Sequence, residues 1–334
     1  MEYLEALNSS DGIWPNSLCL SSYKRYDCLI NDVQRQLDEQ GVAVISIFSQ
    51  LECEEFRNRA WADFNRLIGL QKDDPSTYKN LNQLSPEAGM LLKDHPLVHL
   101  QWVWDIRQDP RVAEIFANIW NVNKEDLLVS FDAMSLHLPS EITRKGWFNK
   151  HLWIHTDQSN RKTSKCCIQG LVNLYPINPG DATLLILENS HKYFNDYFSY
   201  IHFDYPEDYI PITRNGINFF LEKGCVPRWV QADEGTIILW DSRVFHMGSC
   251  PIQGRAIPNF RLVIYVCMLP RYGVNQNVLD KKIKALEDKV DTSHWANCAH
   301  LGRRFRPERF TFTLEDIGEP QLTGLGRRLV GFTE

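Results

Sequence analysis

The 334-residue chain has no CxxC pair, no block of like charge and no run approaching the roughly 18 uninterrupted apolar residues that a membrane span needs. Each absence removes a class of protein. Nine cysteines, odd in number and irregularly spaced, do not read as a disulfide framework, and Met1 to Leu20 lacks the basic flank and apolar core of a secretory signal. A reducing compartment, the cytoplasm, is expected, and the terminal GFTE is not a peroxisomal address. The neighbours Cys166 and Cys167 would face opposite sides of a strand, which suits one core and one surface thiol better than a zinc site. The 36 basic and 42 acidic side chains are interspersed and leave a net charge of -6, so a broad phosphate-facing surface is missing and a nucleic-acid partner is not expected. Composition says nothing of oligomeric state.

What is present is enough apolar material for a large core, 43% hydrophobic and 12% aromatic, and one globular unit is expected. Helical spacing of Cys28, Leu29, Val33 and Leu37 predicts a helix over Arg25 to Gln40, closed by Gly41, with "VAVISIF" following as a strand. Ser49 with Glu52 forms a capping box for a helix carrying Phe56, Ala60, Phe64, Leu67 and Ile68, and Asp109 with Pro110 opens another. After about residue 127 the texture changes to short β-rich runs, "LLVSFDAMSL", "CIQGLVNLY", "ATLLILE", "GTIILWDS" and "FRLVIYVCML", separated by turn residues. Such strands without intervening helices predict an antiparallel sandwich or barrel. A helix is expected in "NVLDKKIKALEDKV" and an irregular tail from Gly302.

The stretch "WIHTDQS" places His155 and Asp157 two residues apart, so on a strand both point to one face and could grip one metal ion. Two unrelated polar residues on a surface strand would look the same. His246, 89 residues beyond Asp157, follows a strand-like run and a turn in a segment expected to be exposed. Two histidines and one carboxylate on one face of a metal leave positions open, which suits Fe(II) with a chelating co-substrate and O2. Arg261, 15 residues after His246, heads the strand "FRLVIYV". A guanidinium deep in a barrel needs a carboxylate, and its planar fork could take the far carboxylate of 2-oxoglutarate.

In this order, "QLDEQGVAVISIF" with "SQLECEEF", then "HTDQ", "GLVNLYPINPGDATLLILENSHK", "GTIILWDSRVFHMGS" and "FRLVIYV", the chain resembles the phytanoyl-CoA dioxygenase-like family of Fe(II)- and 2-oxoglutarate-dependent oxygenases over roughly residues 30 to 270. The resemblance implies a mainly β fold with flanking α, a double-stranded β-helix (jelly-roll, cupin-like) barrel with N-terminal helices. It implies one oxygenase domain over 1–334: a mainly helical part at 1–126, a jelly-roll core at 127–270 with an aromatic insert at 193–232, and a C-terminal helix and tail at 271–334. The iron ligands fall on His155, Asp157 and His246, and the 2-oxoglutarate arginine on Arg261 in preference to Arg255, which sits among turn residues.

The interval to Arg261 is a few residues longer than usual in relatives, which suggests an insertion in "CPIQGRAIPN". His137 stands where relatives use a polar or basic residue to help hold the keto acid. Asn173, Thr183 and Gln169 fall on strands near the metal and could touch 2-oxoglutarate, or simply face outward. His191, a turn histidine in relatives, could contact substrate or a ligand, whereas His151 and His155 lack the adjacent glutamate of a zinc protease. The implied cofactor is Fe(II), with 2-oxoglutarate and O2 as co-substrates, a small organic molecule as substrate and no membrane partner. Retention of Asp157 favours hydroxylation over halogenation, because halogenating relatives carry a small residue there. The rival readings are a non-catalytic jelly-roll binding protein and an oxygenase of a protein side chain or nucleobase. The aromatic stretch Tyr193 to Trp229 suits either a substrate cover or packing over the barrel wall.

Overall fold

The computed structural model describes residues 20–87, 89–144, 153–255 and 257–333. Its strands are β1 (Tyr23–Arg25), β2 (Val42–Ser46), β3 (Leu91–Leu92), β4 (Leu127–Val129), β5 (Met134–His137), β6 (His155–Thr156), β7 (Ile168–Asn173), β8 (Thr183–Leu187), β9 (Ile210–Pro211), β10 (Pro227–Gln231), β11 (Thr236–Asp241), β12 (His246–Ser249) and β13 (Arg261–Pro270). They form two open sheets. One has six strands in the order β1-β10-β8-β12-β6-β9; the other has seven in the order β2-β11-β7-β13-β5-β3, with β4 also on β13. From β5 to β8, and again from β10 to β13, successive strands alternate between the sheets.

Period-two alternation decides what each sheet face meets. Val44, Leu171, Ile186, Val230, Ile238 and Trp240 come from both sheets and pack together, so these faces lie against each other. The opposite face of the seven-stranded sheet sends Ile45, Val172, Leu239 and Ile264 into a cluster with Phe64, Trp104 and Phe116 from the helices Gln50–Ile68, Gln101–Arg107 and Pro110–Trp120. The opposite face of the six-stranded sheet packs Leu185, Leu187 and Met247 against Phe194, Tyr197, Phe198 and Phe220. The space between the sheets is thus walled by hydrophobic layers on both sides.

The capping signals act as the sequence suggests. The Ser49 side chain and Glu52 satisfy each other's backbone N–H groups, and Asp109 accepts from Arg111 N ahead of Pro110. Gly41 ends helix Val33–Gln40 at φ 75, a left-handed conformation that glycine adopts without a Cβ penalty.

Several elements differ from expectation. The helix expected over Arg25 to Gln40 begins at Val33, because Tyr23–Arg25 pairs in parallel with Trp229–Gln231 as β1. The segment after Trp240 is not exposed: His246–Ser249 is the buried strand β12, between β8 and β6. The 193–232 insert contains helices Phe194–Ile201 and Arg214–Glu222, and its last part, β10, belongs to the six-stranded sheet. The tail after Gly302 includes helix Gly324–Val330, whose Leu329 and Val330 are buried. No helix among the described residues is long and apolar enough to cross a membrane.

Candidate metal centre

β6 and β12 are hydrogen-bonded neighbours with His155 directly opposite His246, which sets the two imidazoles side by side on the face toward the seven-stranded sheet. Their ring centroids are 4.5 Å apart. Asp157 follows β6, where its N–H donates to Ser242 O at 3.2 Å, and its carboxylate straddles the pair. One oxygen is 3.6 Å from His155 Nε2 and the other 3.3 Å from His246 Nε2. One donor atom from each residue lies within 4.8 Å of the others, a cluster able to hold a metal ion.

The surroundings fix which atoms point inward. His155 Nδ1 is 3.0 Å from Trp153 O and His246 Nδ1 is 2.9 Å from Val244 O, so each Nδ1–H donates to a carbonyl two residues back and leaves Nε2 as a lone-pair donor. Gln169 on β7 donates through Nε2 to Asp157 Oδ2 at 2.9 Å, and His294 Nε2 lies 3.3 Å from Asp157 O. The rings of Trp153 and Tyr209 pack on His155 at 5.0 and 4.7 Å.

Burial opposes charge on all three groups. Asp157 still falls well below the ordinary carboxylate range because both histidines face it. On His155 the pull of Asp157 outweighs burial and raises the imidazole, whereas burial together with His155 lowers His246. A site that concentrates one anion and two imidazole lone pairs favours a cation.

Arg261 opens β13 opposite His137 on β5, and strand parity puts both on the inter-sheet face, with Tyr265, Val263 and Ser135. It is 4% exposed, and among the described residues no carboxylate pairs with it. Its Nε has no hydrogen-bond partner, Tyr265 is its polar neighbour, and burial pulls the guanidinium below its ordinary value. The Tyr265 hydroxyl is in turn 3.2 Å from Ser135 Oγ. Arg255 is differently placed: it donates to Glu141 at 2.5 and 2.8 Å and to Asp181 at 2.9 Å, so its charge is already answered.

The remaining sequence candidates scatter. His137 is buried beside Arg261, its Nε2 against Met90 Sδ, and burial with the two guanidiniums keeps it neutral. Gln169 meets the metal carboxylate, whereas Asn173, four residues further along β7 and opposite Val263, gives its amide to Tyr175 O and Asp233 O. Thr183 shares parity with Leu185 and Leu187, facing away from the inter-sheet space, and donates to Val230 O at 2.6 Å. His191 bonds Asp38 O at 3.1 Å and braces the end of helix Val33–Gln40. His151 lies outside the described residues. Sequence reasoning missed Trp153 and Tyr265, although spacings of two from His155 and four from Arg261 are visible signals. Tyr209 belongs to the aromatic stretch read as a substrate cover or as packing; its place against His155 was not foreseen.

No family model matches the chain. A curated protein, "Ava biosynthesis cluster protein O" of Aspergillus versicolor, is 28% identical over 206 residues, 59% of this chain and 64% of that protein, so the match spans less than two thirds of its relative's length. Among solved structures, the hypothetical protein JW0805 from Escherichia coli superimposes with a TM-score of 0.60 at 13% identity, covering 99% of this chain and 89% of that one. GlcNAc inducible gene 2 (DUF1479) from Candida albicans gives 0.56 at 14% identity over 98% and 83% of the two chains. At these identities the likeness is one of fold.

Proposed function

We propose that the chain is an Fe(II)- and 2-oxoglutarate-dependent oxygenase of the phytanoyl-CoA dioxygenase-like kind, one unit over 1–334 around a double-stranded β-helix, hydroxylating a small organic molecule in the cytoplasm. The observation that carries the reading is a buried guanidinium with no carboxylate partner among the described residues, on the same inter-sheet face as a His-Asp-His cluster. An unpaired buried charge costs several kcal/mol, so the fold keeps Arg261 for an anion that arrives. The strand alternation between two sheets supports the double-stranded β-helix, and the name of the curated relative, a biosynthesis cluster protein, supports a role in biosynthesis.

In this reading His155 Nε2, His246 Nε2 and one oxygen of Asp157 hold the metal. Bound Fe(II) supplies coupled oxidation, in which O2 converts 2-oxoglutarate to succinate and CO2 and hydroxylates the substrate. The chain's own part is placement. Gln169 orients the Asp157 carboxylate, and the carbonyls of Trp153 and Val244 hold both Nδ1 protons away from the metal side. Arg261 takes the far carboxylate of 2-oxoglutarate, Tyr265 steadies the guanidinium, and neutral His137 adds a hydrogen bond without competing charge. Trp153 and Tyr209 screen His155 from water. A cavity of about 10 Å³, room for one water, lies beside Arg261 and Arg255.

The test is calorimetric titration of 2-oxoglutarate into the Ni(II)-loaded protein. Arg261→Ala should weaken binding by roughly 2 to 5 kcal/mol, and Arg255→Ala should leave it within error in any folded sample. The reverse pattern would overturn the assignment of Arg261.

A further inference from the structure

A second cavity, of about 380 Å³, lies between the 3-10 segment Pro75–Leu84 and the stretch from His137 to Thr143. Its volume falls within the usual range of small-molecule sites. The walls are mainly apolar, with Pro75, Leu81, Pro86, Leu138 and Ile142, and Ser76, Tyr78 and Asn82 add polar atoms. Among the described residues no carboxylate lines it, and Lys79, exposed at its rim, is its one permanently charged group and has no ion-pair partner.

Two side chains connect this cavity to the chemistry. His137 and Met90 line it, and His137 stands directly across from Arg261 in the strand register. Met90 Cε lies 2.8 Å from where a Cβ on Gly248 would be, two residues beyond His246 on β12. Met90 is therefore a thin, adaptable partition between cavity and chamber, lying close against Gly248.

We propose that this cavity is the primary-substrate site and that it takes a mainly apolar small molecule carrying one acidic group, the acid at Lys79 and the opposite end at Met90. The apolar walls supply most of the affinity and Lys79 fixes which end enters first. The reacting carbon is thereby presented on the His246 side. The proposal rests on the oxygenase reading for its chemistry, but not for its binding test.

The test uses two fluorescent probes of the same shape, 8-anilinonaphthalene-1-sulfonate and its neutral counterpart N-phenyl-1-naphthylamine, with the Ni(II)- and 2-oxoglutarate-loaded full chain. Both should bind with 1:1 stoichiometry. Lys79→Gln should weaken the sulfonate by about fivefold and leave the neutral probe unchanged. Ile142→Trp, a change at a wall residue 43% exposed, should weaken both by at least about tenfold by filling the space. Loss of neither probe in Ile142→Trp, or equal effects of Lys79→Gln on both, would overturn the proposal. Titration of 2-oxoglutarate into the same variants separates the two ideas. Intact keto-acid binding with indifferent probes sinks the cavity alone, whereas probe binding that follows the pattern above without any keto-acid binding sinks the oxygenase reading alone.

Discussion

Gln169 shows how much of the centre depends on a residue that touches no metal. Its amide holds one oxygen of Asp157, and the carboxylate would otherwise be free to rotate between His155 and His246. Gln169→Leu should weaken Ni(II) binding about 10- to 100-fold, the usual cost of losing such an orienting partner, with the melting temperature nearly kept; an unchanged affinity in competition with a chelating dye would remove this role. His155 and Asp157 were legible because the strand period of two puts them on one face. Arg261 was legible at the head of a strand, and the structure adds what spacing cannot, that Arg255 is occupied by Glu141 and Asp181 while Arg261 has no carboxylate. Asn173 and Thr183 could not be placed from sequence, since residence on a strand near the metal says neither how far along the strand a residue lies nor which face it takes.

The aromatic stretch around residues 193–229 is two things at the scale of elements. Helices Phe194–Ile201 and Arg214–Glu222 bury Phe194, Tyr197, Phe198 and Phe220 around Phe245, which is 4.6 Å from the Phe220 ring. This part is fixed wall. Between them, Phe203 and Tyr209 stay more than half exposed, and the loop is clasped to the one after Asp157 by Arg161 with Asp204, Lys162 with Asp208 and Ser159 with Tyr205 O. Hydrogen exchange should show both helices protected in the metal-free protein, and residues 203–209 exchanging fast until substrate is added. Fast exchange throughout both helices would contradict the packing account. Phe245→Ala should destabilise the protein by about 3 to 5 kcal/mol in urea unfolding. The helices escaped notice because dense aromatics read as strand or loop, and β12 because Gly248 and Ser249 read as turn. β10 begins with Pro227 and takes its partner β1 from a distant part of the chain, a contact no local pattern encodes.

For the whole molecule, two buried groups set opposing trends of stability with pH. Burial raises Asp291 from an ordinary 3.8 to about 7. The folded state therefore binds more protons than the unfolded chain between those values, and stability falls as pH rises through that window. Lys282, whose Nζ donates to Val129 O at 2.8 Å, is lowered by burial from 10.5 to about 7. There the unfolded chain binds more protons, and stability rises from about pH 7 upward. Each contribution is no steeper than about 1.4 kcal/mol per pH unit, and that of Asp291 is opposed between about pH 3 and 6.5 by His99, which burial lowers to about 3. In urea unfolding at stepped pH, the stability of Asp291→Asn relative to the unmodified protein should rise between about pH 4 and 7, and that of Lys282→Met should fall between about pH 7 and 10.5; differences flat with pH would place the titration elsewhere.

The central claim is that one inter-sheet face joins a His-Asp-His metal site to a 2-oxoglutarate site, and anaerobic visible absorption tests it most directly, because Fe(II) chelated by a 2-oxo acid has a charge-transfer band that neither component has alone. The account predicts that band on adding Fe(II) and 2-oxoglutarate to the purified protein, its loss in His246→Ala and Asp157→Ala, and a need for far more 2-oxoglutarate in Arg261→Ala. No band from the unmodified protein at saturating Fe(II) and 2-oxoglutarate, or a band of full intensity in both His246→Ala and Asp157→Ala, would contradict it.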